Sequence, residues 1–190
     1  QIQMVMILML RMVLYAPIIG IPEYKEAVTK AVFLDEVPQD LFIETCYAPG
    51  GTGALRNAIS CYSSPGDKIL TADWHWAPYN VIAAELGREV KTYTLFDEDY
   101  HFNDASFRKS LREILAVQDQ AVVIINTPAH NPTGYTFTLG DWDKVIDIFK
   151  SFPNKNIICV VDIAYLDFAG EAHAYRAFLK KLSGLPHHIL

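Results

Sequence analysis

Three short clusters hold the side chains with the most chemical capacity. Ala48-Pro-Gly-Gly-Thr-Gly-Ala-Leu55 places three glycines and a threonine just ahead of a stretch with helical patterning. Glycines let the backbone approach an anion closely, and the free N–H groups at a helix start, with the positive end of its dipole, can hold a phosphate. Thr52 adds a hydroxyl donor. The same composition also suits a plain tight turn. The spacing is neither G-x-G-x-x-G nor a P-loop, because no Gly-Lys-Ser/Thr follows, so a nucleotide is not the first ligand to expect.

The second cluster, Thr127-Pro-Ala-His-Asn-Pro-Thr-Gly134, follows an apolar run, and Asn131 within it can donate to a ligand oxygen. A simple turn accounts equally well for Asn-Pro-Thr-Gly, since each of those residues favours turns. Thirty-one residues after Asn131, the third cluster ends another apolar run in Asp162-Ile-Ala-Tyr165. An acid at the end of a buried strand is costly unless a cation pairs with it. A helix cap or a surface ion pair are the alternatives. The six histidines show no ligand spacing and no metal site is expected; His130 suits a supporting contact beside Asn131.

The elements that must position these clusters alternate along the chain. Helical spacing covers residues 20–33, 53–62, 77–86, 104–116 and 139–149, and β-branched or apolar runs cover 68–72, 89–95, 121–126 and 156–163. The last two runs are continuously apolar, as in strands buried on both faces of a parallel sheet. The alternation predicts an α/β fold: a three-layer α/β/α sandwich around a mostly parallel sheet. Ligands in such sheets sit at the carboxyl ends of the strands, where Asn131 and Asp162 fall.

Composition narrows the function classes. The 190 residues are 51% hydrophobic, enough for a real core, and the net charge of −6 disfavours a nucleic-acid or anionic-membrane partner. Cys46, Cys61 and Cys159 form no C-x-x-C pair, which suggests neither a disulfide framework nor zinc and fits the reducing cytoplasm. The apolar run 2–14 is too short for a membrane span and is interrupted by Arg11, so residues 1–14 are expected to form an N-terminal apolar helix ahead of a single domain over 15–190.

Gly50-Gly-Thr-Gly-Ala-Leu55, Asn131-Pro-Thr-Gly134 and Asp162-x-Ala-Tyr165, in this order and separation, resemble the fold-type I aminotransferases, closest to the aspartate and aromatic branch. The resemblance runs from about Tyr15 to the C-terminus. It implies pyridoxal 5′-phosphate as cofactor, with Gly50, Gly51 and Thr52 around its phosphate and Asp162 on its protonated ring nitrogen. Tyr165 and Asn131 would reach its phenolic oxygen. It implies Trp76 on the ring face, with Trp74 as the competitor, and it implies a homodimer in which Tyr15 reaches the partner's phosphate.

Such chemistry also needs a lysine that bonds the cofactor and moves the proton, and the resemblance places it shortly beyond Leu190, so an incomplete large domain is expected. Lys180 and Lys181, in a helical context, are poor substitutes. The implied reaction is amino-group transfer between an amino acid and a 2-oxo acid. Two alternatives stand beside it: a C–S β-lyase, which the same cofactor contacts would serve, and a truncated module kept for binding alone.

Overall fold

Among the described residues, Pro22 opens the first helix where proline fits best, at a position whose N–H would have no partner within the helix. The computed structural model describes residues 20–39, 42–182 and 185–186, and its contacts group the chain into two units, residues 1–47 and 48–190. In the first unit, α1 (Pro22–Phe33) carries Glu23 in its first turn and Lys30 in its last, matching the helix dipole. Tyr24 stacks on Tyr47 with ring centroids 4.4 Å apart, and Lys25 pairs with Glu44 at 2.5 Å. The helix expected at 1–14, Tyr15 and the last four residues lie outside the described residues.

The second unit is the expected α/β fold. Its helices are α2 (Gly50–Tyr62), α3 (Pro78–Glu85), α4 (Asp104–Leu115), α5 (Leu139–Lys150) and the short α6 (Phe178–Leu182). Its strands are β1 (Lys68–Ala72), β2 (Glu89–Tyr93), β3 (Gln120–Asn126) and β4 (Asn156–Asp162), all parallel, in the order β2-β1-β3-β4.

Strand side chains alternate between faces, and the two cores follow that parity. Ile69, Val122, Ile124 and Ile158 pack with Leu55 and Ile59 of α2 and with Tyr79 and Ile82 of α3. Their neighbours Leu70, Val123, Ile125 and Ile157 face the other way, onto Phe107, Leu111 and Ile114 of α4 and Trp142, Val145 and Phe149 of α5. Each fully buried Leu, Ile or Phe contributes about 1.5–3 kcal/mol, so these stripes fix which face each helix covers.

Strand β1 sits between β2 and β3, and the chain leaves it for β2 through α3 on one face, then reaches β3 through α4 on the other. The winding reverses there, which opens a crevice at the strands' carboxyl ends.

Several boundaries differ from the sequence reading by a residue or more, and three of them have a visible cause. The stretch expected to reach residue 95 stops at Tyr93, because the next backbone donors leave the ladder: Thr94 N–H goes to Ser106 Oγ and Leu95 N–H to Asp73 Oδ1. The stretch expected to reach 163 stops at Asp162, whose own side chain accepts from Ala164 N–H and turns the chain. The helix expected from 53 begins at Gly50, so the glycines form its first turn instead of a loop ahead of it. Gly50 has φ +69°, open to glycine at little cost, and a Cβ on Gly53 would strike the Pro49 ring at 2.4 Å.

Candidate functional site

The parity that buries Ile124 and Val160 beside α2 and α3 carries the chain two residues on to Asn126 and Asp162, on the same face at the strand ends. The two are register partners across β3 and β4. An amide and a carboxylate therefore stand side by side at the rim of the crevice, under the first turn of α2.

Asp162 is held on both oxygens. Tyr79, 1% exposed, donates its hydroxyl to Oδ2 at 2.5 Å, and Ala164 N–H donates to Oδ1 at 3.1 Å. Burial, reinforced by the hydrogen bond to Asp162, pushes the Tyr79 phenol well above its usual range, so it is a neutral donor to the carboxylate.

Opposite Asp162, Asn131 Nδ2 donates to Tyr165 Oη at 3.0 Å, which brings together the two neutral groups singled out in the sequence. Behind them Asn126, 5% exposed, accepts from Asn131 N–H at 2.7 Å and donates from Nδ2 to the Asp162 carbonyl at 2.8 Å.

Trp76 stands at the start of α3, edge-on to Tyr79 with centroids 5.7 Å apart, whereas Trp74 is 59% exposed. Two histidines brace the segment between β1 and Trp76. His75 Nδ1 meets the Ala72 carbonyl at 2.7 Å while Asn80 Nδ2, which can only donate, points at its Nε2, so the ring proton lies on Nδ1. His130 is buried against the Trp74 carbonyl and Thr133 Oγ1, and burial holds it below the ordinary imidazole range, so it is neutral at pH 7.

Trp76, Asn126, Asn131, Asp162 and Tyr165 line one cleft of about 210 Å³, together with Gly51, Thr52, Leu55 and Ala164. Pockets that enclose drug-sized ligands are roughly 300–1,000 Å³, so a single substituted ring suits this one better than a dinucleotide. Gly50 is not among the lining residues, and a Cβ on Gly50 or Gly51 would meet nothing within 4 Å, so the first turn of α2 faces open space. Among the described residues no lysine lines the cleft; Lys181 pairs with Asp143 of α5 at 2.5 Å. A second cleft of equal volume, between Thr127, Phe137, Tyr175 and Phe178, has no acid, base or thiol in its lining.

A family model described as aminotransferase class I and II matches residues 11–190. The chain belongs to the class I and II aminotransferases. Among family members, it is 32% identical to the mitochondrial aspartate aminotransferase of Schizosaccharomyces pombe over 86% of this chain and 38% of that protein. The crystal structure of an aminotransferase from Anaerococcus prevotii superposes with TM-score 0.88 at 38% identity, over 93% of this chain and 44% of that one. The aromatic-amino-acid aminotransferase of Burkholderia pseudomallei, covalently bound to pyridoxal phosphate in its crystal structure, matches with TM-score 0.74 at 26% identity, over 90% of this chain and 43% of that one. The chain thus spans less than half the length of these family members.

Of the residues singled out in the sequence, Gly51, Thr52, Trp76, Asn131, Asp162 and Tyr165 meet at the cleft, and Tyr15 lies outside the described residues. Asn126 and Tyr79 are additions from the structure. Asn126 ends a buried strand, the position where such sheets carry their chemistry, which was a usable signal; Tyr79, a lone aromatic in an apolar helix, offered none.

Proposed function

We propose that this protein is a pyridoxal 5′-phosphate-dependent aminotransferase that moves an amino group between an amino acid and a 2-oxo acid. The residues described here would form the wall that holds the cofactor. The observation that carries the reading is the opposition, within one cleft, of a carboxylate already fixed on both oxygens and a pair of neutral donors, Asn131 and Tyr165.

The donor set fits the group. Asp162 offers negative charge for a protonated ring nitrogen, Asn131 and Tyr165 offer neutral hydrogen bonds for a phenolic oxygen, and Trp76 offers an apolar face. Gly51 and Thr52 open the first turn of α2 toward a phosphate, while Gly50, whose own N–H donates to the Ala48 carbonyl at 2.8 Å, gives the turn its left-handed backbone and leaves that side open. When bound, the cofactor supplies an electron sink for the substrate's Cα–H bonding electrons. The protein's part is electrostatic: Asp162 stabilises positive charge on the ring, and Tyr79 keeps that carboxylate hydrogen-bonded without bringing a competing charge.

A homodimer in which Tyr15 reaches the partner's phosphate follows from the same resemblance, and the three unpaired thiols support a cytoplasmic location. Among the described residues, no helix is long and apolar enough to cross a membrane.

The test is borohydride reduction of the protein from its native source with pyridoxal phosphate, followed by intact mass and an amino-acid exchange assay. Gain of one pyridoxyl group together with exchange between an amino acid and a 2-oxo acid is the expected result. No pyridoxyl gain would sink the cofactor, and release of pyruvate and a thiol without exchange would replace transfer by β-elimination.

A further inference from the structure

We propose that Asn126 is a positioning residue that sets Asn131 and Asp162 at their working separation through its carboxamide. This rests on the cofactor reading above. Both ends of its amide bond the backbone of the two residues that bear the site. Oδ1 accepts from Asn131 N–H at 2.7 Å, and Nδ2 donates to the Asp162 carbonyl at 2.8 Å. The orientation is fixed by chemistry, since a backbone N–H can only donate and a carbonyl only accept.

The placement explains why an amide is needed here. The ladder between β3 and β4 ends at the Asn126–Asp162 pair, with one further bond from Thr127 N–H to the Asp162 carbonyl at 3.1 Å. Beyond that point the backbone of residues 128–131 leaves the sheet, and no strand pairing holds Asn131 against β4. Asn126 bridges that gap from a buried position, so its two bonds meet little competition from water. A carboxylate at this position would keep the bond from Asn131 but set an acceptor against the Asp162 carbonyl; a methyl group would release both loops.

The experiment is a titration of the full chain with pyridoxamine 5′-phosphate, which binds without bonding to a lysine, followed by tryptophan fluorescence. Asn126→Ala is expected to weaken binding about tenfold, the size of one or two lost hydrogen bonds. In an Asn131→Ala background the same change should cost less than about twofold, because the group it acts through is gone. A general loss of stability would give equal factors in both backgrounds and would overturn the proposal. Asn126→Asp should lose affinity yet remain sensitive to Asn131→Ala.

Hydrogen exchange of the unmutated chain gives a reading independent of any variant. The Asn131 amide should exchange slowly, and fast exchange overturns the proposal. If the unmutated chain shows no binding, the cofactor reading falls and this inference with it. Binding that Asn126→Ala leaves unchanged overturns the inference alone.

Discussion

Asp162 is a carboxylate whose two oxygens are both engaged before any ligand arrives, and that arrangement determines what its removal should do. Asp162→Ala takes away charge that acts on the reacting ring, so kcat in the loaded enzyme is expected to fall by about 10²–10³, with a smaller loss of cofactor affinity. Parallel measurement of kcat and the cofactor Kd checks this, and equal losses would move Asp162 from chemistry to binding. Tyr79→Phe keeps the buried ring and removes one neutral donor, at an expected cost of about 1–2 kcal/mol in urea unfolding. Asp162 and Asn131 were legible in the sequence because each ends or follows an apolar run with the pattern of a buried strand, and Tyr165 because it completes the Asp162-x-Ala-Tyr165 motif that carries the resemblance. Tyr79 was not, because its partner lies 83 residues away and an aromatic in a helix looks like core until the sheet brings the two together.

At the scale of the element, the alternation of runs was enough to give the four described strands and the helices between them, since continuous apolar stretches and helical spacing are set by burial. Ends were harder to read, because side chains decide them. Leu95 leaves the ladder for Asp73, 22 residues earlier in the chain, and no local pattern carries that contact. The start of α5 is a clear case of side-chain control: Thr138 accepts from Asp141 N–H at 3.1 Å while Asp141 Oδ2 accepts from Thr138 N–H at 2.8 Å. Thr138→Ala breaks this reciprocal cap and is expected to cost about 1 kcal/mol, measured as a shift of the urea midpoint with unchanged m-value. The glycine-rich turn was read as a loop before a helix. It is the helix's own first turn, because Leu55 and Ile59 anchor α2 against the sheet and the helix extends backward to Gly50.

The molecule as a whole should be most stable between the titrations of its buried histidine and its buried tyrosines. Burial holds His130 below the ordinary imidazole value, so the unfolded chain takes up its proton first, and this contribution is lost as pH falls below about 6.5. Tyr79, Tyr93 and Tyr135 are all pushed above the usual phenol range, chiefly by burial, so their contribution is intact below about pH 10 and is lost as pH rises beyond it. Urea unfolding from pH 5 to 11 should trace a plateau with two falling flanks, and His130→Gln should flatten the acid flank. Composition had already indicated a real core. The grouping of the chain at residue 47 was not visible in it, because packing between residues far apart in sequence creates that boundary. The pairing of Asn126 with Asp162 also bears on how this sequence can change over time. Because strand side chains alternate, deleting one residue from β4 would turn Asp162 to the opposite face of the sheet and present a hydrophobic side chain to the cleft. Exchanging one apolar residue for another along β4 should therefore be far better tolerated than a change in its length, which would move the carboxylate out of the cleft.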